Sequence, residues 1–262
     1  MKKSVASTLA VALLLSATAA LAAVKTKEIE YKQGDTTLQG YLAWNDSAKG
    51  KVPGVLVVHE WWGHNAHARR QAERLAKAGY VGFALDMYGK GKVATHPADA
   101  QTFAAESVKD PAAQKARFDA ALDLLKQDPH VDSAKIAAIG YCFGGGVVLN
   151  MARAGEDLQA VVTFHGALAT DHPAENGMIK PRILVNTGDA DPFVPADQVA
   201  AFETEMKAAG ANYQVLHYAG AKHSFTNPDA ATYGMEQLAY DADADKKSWA
   251  AMLKMFKDVF KS

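Results

Sequence analysis

The sequence predicts an α/β fold, with a mostly parallel central sheet covered on both faces by helices. Three observations predict it. Short continuous Val/Ile/Leu-rich runs recur along the chain, which is the pattern of strands buried on both faces rather than on one. Between them lie stretches of helical periodicity long enough to carry the chain back to the start of a parallel neighbour. One run, 135–139, breaks through Gly140 into the glycine-rich helix start Gly144-Gly145-Gly146, the sequence form of a strained strand-to-helix elbow.

The elements follow in order. Segments 26–32 and 37–43 partly alternate apolar and polar residues across the turn-forming Gln33-Gly34-Asp35, which predicts an antiparallel hairpin at a sheet edge. A strand over 52–58 precedes a helix over 66–78, and a strand over 81–85 precedes helices over 98–106 and 111–125. The strand 136–139 leads into a helix over 145–154. The second half continues with strands 160–164 and 183–186, a helix over 196–209, a strand over 213–218 and a terminal helix over 246–260. In such sheets, reactive and binding residues collect at the carboxyl ends of the strands.

Residues 1–22 read differently from the rest. Met1-Lys2-Lys3 gives a positive end, 9–15 an apolar centre and Ala20-Leu21-Ala22 a small-x-small cleavage site. The apolar part is shorter than the roughly 18 to 20 residues a membrane span needs. The expectation is a secretory signal peptide cleaved near Ala22/Ala23, with a single domain over 23–262, no stable membrane anchor, and a periplasmic or secreted location. Removing Lys2 and Lys3 leaves 26 basic against 29 acidic residues, a net charge of −3. No segment concentrates lysine and arginine, so no nucleic-acid partner is expected.

Cys142 is the only cysteine in the chain and stands at the elbow, in Gly140-Tyr141-Cys142-Phe143-Gly144. In an exported protein a lone thiol is a liability unless it is buried or used, and the elbow argues for use. A cysteine nucleophile needs a base and a group that orients the base, in the chain order nucleophile, acid, histidine. After the strand 183–186 come Asp189 and Asp191; Asp191 is the preferred orienting carboxylate, with Asp189 assigned to backbone bonds within its loop. After the strand 213–218 comes His223. The segment His59-Glu60-Trp61-Trp62-Gly63-His64 follows the strand 52–58, so its backbone N–H groups can converge with that of Phe143 on an oxyanion. Glu60 falls where this loop meets the elbow, within reach of the resting thiol; its alternative role is to cap the next helix. His59, His64 and His67 do not put two ligands on one helical face, so no metal is expected. Two other readings of the thiol remain: a peroxide-reactive centre, which here lacks a resolving cysteine, and a binding protein that has kept a pocket.

These segments together resemble the dienelactone hydrolase family of α/β hydrolases. The likeness rests on Gly140-Tyr141-Cys142-Phe143-Gly144-Gly145, His59-Glu60-Trp61-Trp62-Gly63, Asp191-Pro192-Phe193-Val194-Pro195 and His223-Ser224-Phe225, in family order over most of the chain. It implies an α/β-hydrolase fold, no cofactor, and a small-molecule ester, lactone or thioester substrate cleaved through an acyl-cysteine. It implies the triad Cys142, Asp191 and His223, backbone donors Trp61 and Phe143, and a largely neutral resting thiol paired with Glu60. The family's substrate-binding arginines fall on Lys90, after Asp86-Met87-Tyr88, and on Asn227; with Ser224 these are the candidate substrate-binding residues. A lysine cannot reproduce bidentate carboxylate recognition and asparagine carries no charge, so an acidic lactone is expected to lose its advantage.

Overall fold

The computed structural model describes residues 23–261; the expected signal peptide, 1–22, lies outside the described residues. Among the described residues, eight strands form one sheet. The edge hairpin consists of β1 (Val24–Gln33) and β2 (Thr36–Asn45), turned at Gly34 with φ 55°. β2 pairs antiparallel with β4 (Val81–Leu85). From there every pairing is parallel, through β3 (Val52–Val58), β5 (Val131–Tyr141), β6 (Ala160–Phe164), β7 (Arg182–Gly188) and β8 (Tyr213–Tyr218).

Six helices among the described residues cover this sheet: α1 (Ala66–Lys77), α2 (Pro97–Val108), α3 (Pro111–Gln127), α4 (Phe143–Arg153), α5 (Ala196–Ala208) and α6 (Ala242–Val259). Alternate residues of a strand point to opposite faces, and the two cores divide accordingly. Leu56 and Val58 pack with Phe118 of α3, Val147 of α4 and Phe202 of α5, whereas Val55 and Val57 pack with Leu75 of α1 and Phe256 of α6. This two-sided burial explains why the central strands read as unbroken apolar runs.

Two elements extend furthest beyond their apolar patterns. α6 begins at Ala242 because Asp241 caps it, its carboxylate accepting from the amides of Asp243 and Ala244. β5 begins at Val131, where Val131 pairs with Val52 before a register shift at Pro53/Gly54. A short 3₁₀ turn at Ala230–Tyr233 was not legible in the periodicity. No helix among the described residues is long and apolar enough to cross a membrane.

Parallel register brings the strand ends to one edge: Val58 lies opposite Gly140, Tyr141 opposite Phe164, and Gly188 opposite Tyr218. The loops leaving that edge carry every member of the expected triad.

Candidate active site

The elbow is built by glycines. Cys142 sits between β5 and α4 with φ 54° and ψ −118°, a conformation an L-residue adopts only under constraint. Gly144 lies against the carbonyls of Val58 and His59, and Gly145 against Thr163 and Gly166, so a side chain at either would collide with neighbouring backbone. Close approach therefore drives the thiol outward, half-buried, at the start of α4. Phe143 is the first residue of that helix, and its amide has no acceptor within the helix.

His223 arrives on the loop after β8 and Asp191 on the loop after β7. Both are buried, and Asp191 Oδ2 lies 2.7 Å from His223 Nδ1. The other oxygen of Asp191 accepts from the Phe193 amide at 2.9 Å, so the carboxylate is fixed before it meets the imidazole. His223 and Cys142 line the same cavity, close enough for Cys142 to act on the imidazole electrostatically. Burial pulls the imidazole pKa down, but the electrostatic influence of Cys142 and the bond to Asp191 outweigh it and push the value up to about 10. Asp189 lies elsewhere: its carboxylate meets the exposed His217 at 2.9 Å rather than backbone groups of its own loop.

Glu60 departs from expectation. Its buried carboxylate accepts from Ser224 Oγ and from Asn227 Nδ2, each at 2.7 Å, and no bond joins it to Cys142. The thiol instead shares its cavity wall with His223. His67 Nδ1 stands 3.7 Å from Glu60, too far for a hydrogen bond. The same geometry buries Ser224 and Asn227, two of the expected substrate-binding residues, and turns them to Glu60. Lys90 is ion-paired with Glu30 at the protein's exterior. None of the three lines the cavity at Cys142.

That cavity measures about 210 Å³. The strand-end loops contribute Trp61, Cys142, Phe143 and His223, together with Ala167, Phe193 and Val194; α2 adds Ala104 and the segment before α6 adds Leu238. Ala104 and Leu238 carried no sequence signal, since they come from outside the strand ends. His165 was also missed, although it directly follows β6 and so obeys the same placement rule. It is buried with φ 43°, its Nε2 meets Thr226 Oγ1 at 2.8 Å, and its ring stands edge-on to His223 with centroids 5.0 Å apart.

The remaining histidines near the site serve the fold. His59 Nε2 accepts from the Met87 amide, which puts the proton on Nδ1 facing the Glu60 carbonyl at 2.6 Å. His64 Nε2 donates to the Ala84 carbonyl at 3.1 Å. Gln71 donates to His67 Nε2 at 3.0 Å. No group of three His, Cys, Asp or Glu among the described residues could hold a metal ion.

The sequence pattern of the dienelactone hydrolase family matches residues 38–260. A crystal structure of a dienelactone hydrolase-like promiscuous phosphotriesterase from metagenomic libraries superimposes with a TM-score of 0.85 at 38% identity, covering 90% of this chain and 99% of that one. The structure named m3DLH gives the same TM-score at 39% identity, over 90% and 98% of the two chains. Protein usf of Aquifex pyrophilus is 30% identical over 236 residues, 88% of this chain and 97% of its own. The chain belongs to the dienelactone hydrolase family and is an ester or lactone hydrolase on the α/β-hydrolase fold.

Proposed function

We propose that the enzyme cleaves carboxylic esters or lactones through an acyl-cysteine on Cys142. The observation that carries this reading is that Cys142 and His223 line one cavity while Asp191 occupies His223 Nδ1, which leaves Nε2 for the thiol. With the proton on His223, the thiolate attacks the carbonyl carbon; the C–S bond forms and the carbonyl electron pair moves to oxygen. The Trp61 and Phe143 amides receive that oxyanion, and preorganised donors of this kind are worth about 3–4 kcal/mol each in the transition state. Collapse breaks the bond to the alcohol oxygen, which takes the proton from His223. Water then gives a proton to His223 and attacks the acyl carbon; the C–S bond breaks, and the acid departs from a restored thiolate and imidazolium. A thioester substrate would follow the same course.

Export to the periplasm or beyond is proposed on residues 1–22 alone. Mass analysis of protein from the periplasmic fraction should find a chain beginning near Ala23; an intact Met1 start would refute cleavage.

The chemical test is Cys142→Ala, which removes the thiol and little volume. The folded variant should lose essentially all esterase activity, and wild type quenched during turnover of a slow ester should carry one acyl mass on Cys142. A folded Cys142→Ala enzyme with near wild-type kcat/KM would refute the assignment.

A further inference from the structure

We infer that the acyl group this enzyme accepts is uncharged and apolar, and that a carboxylate on the acyl chain excludes a substrate. The inference rests on the acyl-cysteine reading above and names its substrate class.

The acyl part must occupy the cavity. It remains bonded to Cys142 Sγ while the alcohol departs and water enters, and Cys142 is part of the cavity wall. Apart from Cys142 and His223, that wall is apolar throughout, with Trp61, Phe143, Phe193 and Leu238 as its large members. At about 210 Å³ it exceeds the roughly 150 Å³ apolar cavity that takes up benzene, so it suits one aromatic ring or a chain of several carbons.

Among the described residues the one cationic group facing the cavity is the imidazolium of His223, and Asp191 already holds its Nδ1. Lys90 is held by Glu30, Arg70 by Asp229 at 2.5 Å, and Arg117 Nη1 donates to the Met87 carbonyl at 2.6 Å. Arg117 and Lys92 line a separate, small polar cavity together with Tyr88 and Phe103, and Glu106 already sits in it. Asn227, the remaining polar candidate, spends its amide on Glu60. A carboxylate entering the Cys142 cavity would exchange water for an apolar wall and find no cation beyond the His223 already committed to Asp191 and the thiolate, an unfavourable transfer. It would also face the attacking thiolate, adding repulsion where negative charge must form.

The test compares three 4-nitrophenyl esters of one leaving group: the hexanoate, the hydrogen adipate and the methyl adipate. The adipate acid places a carboxylate where hexanoate ends in methyl, and its methyl ester keeps the length without the charge. The two neutral esters should be hydrolysed with similar kcat/KM, and the acid about a hundredfold less efficiently, a loss of the size expected when a charge is left unpaired. A gap of tenfold or more between the acid and its methyl ester supports the inference, and a smaller gap overturns it. The same three esters run with Cys142→Ala keep the two readings apart. Surviving activity there would defeat the acyl-cysteine mechanism, while the acid-to-ester ratio would still report on the cavity.

Discussion

His223 stands between two residues that both favour its protonated form, and that arrangement sets how the triad should fail. His223→Ala removes the base and should lower kcat/KM by about a thousandfold or more. Asp191→Asn keeps the imidazole but replaces the charge that holds it, so the loss should be smaller. The alkaline limb of the pH profile, expected near pH 10 in wild type, should move to lower pH when that stabilising charge is gone. Asp189→Asn, paired only with the exposed His217, should leave both rate and profile unchanged; a crippling effect there would reassign the orienting carboxylate. Glu60 calls for a different measurement, since its two buried donors are Ser224 and Asn227. Glu60→Ala should cost about 1–3 kcal/mol for each donor left unsatisfied, read by urea unfolding. The triad residues were legible because each directly follows a strand or sits in the loop behind one. The partner of Glu60 was not legible, because it lies 164 and 167 positions away and its choice between thiol, Ser224 and Asn227 depends on how two loops pack.

Among the elements, the elbow has the least freedom, and two adjacent glycines of α4 show where that freedom ends. A side chain at Gly145 would collide with Thr163 and come 2.6 Å from the Cα of Gly166, so β6 and α4 would have to separate. At Gly146 it would meet only Ala167, at 3.4 Å and beyond, an ordinary contact. Gly145→Ala should therefore destabilise the protein by about 1–3 kcal/mol and reduce activity with it, because overpacked backbone must shift. Gly146→Ala should be neutral or stabilising by up to about 1 kcal/mol, since alanine is favoured over glycine inside a helix. Equal effects in thermal unfolding of the two variants would show that helix propensity, not close approach, governs this turn. The sequence showed three consecutive glycines without telling which ones the packing requires. It did show the elements themselves, because β3, β4, β6 and β8 are buried on both faces or bounded by turns and so carry clean patterns. Where ends are set by a cap, as Asp241 sets α6, or by pairing, as Val52 sets β5, apolar periodicity stops short of the true boundary.

Across the whole molecule, buried histidines make the fold vulnerable to acid. Burial holds His59, His64, His67 and His165 below the usual imidazole pKa, with His64 at about 4. The folded protein keeps these rings neutral, while the unfolded chain protonates each near the ordinary value of about 6.5. Below about pH 6.5 the unfolded state therefore binds more protons, and stability falls as pH falls. Each ring contributes a slope of up to about 1.4 kcal/mol per pH unit until its folded pKa is reached. His223 does not oppose this in the acid range: its pKa is raised, so its contribution is complete below about 6.5 and fades only as pH rises toward 10. His64 isolates the effect. Burial dominates its shift, His59 and Arg69 lower it further, and Asp86 and the bond to the Ala84 carbonyl oppose. His64→Gln keeps an N–H donor for that carbonyl but cannot take up a proton. Urea unfolding from pH 7.5 to 4.5 should show wild type losing stability steeply below about pH 6.5. The variant, whatever its stability at pH 7.5, should lose about 1 kcal/mol less per pH unit over the range between about 6 and 4.5. Parallel curves for the two proteins would mean that His64 is not a source of acid lability and that its environment admits the charged ring.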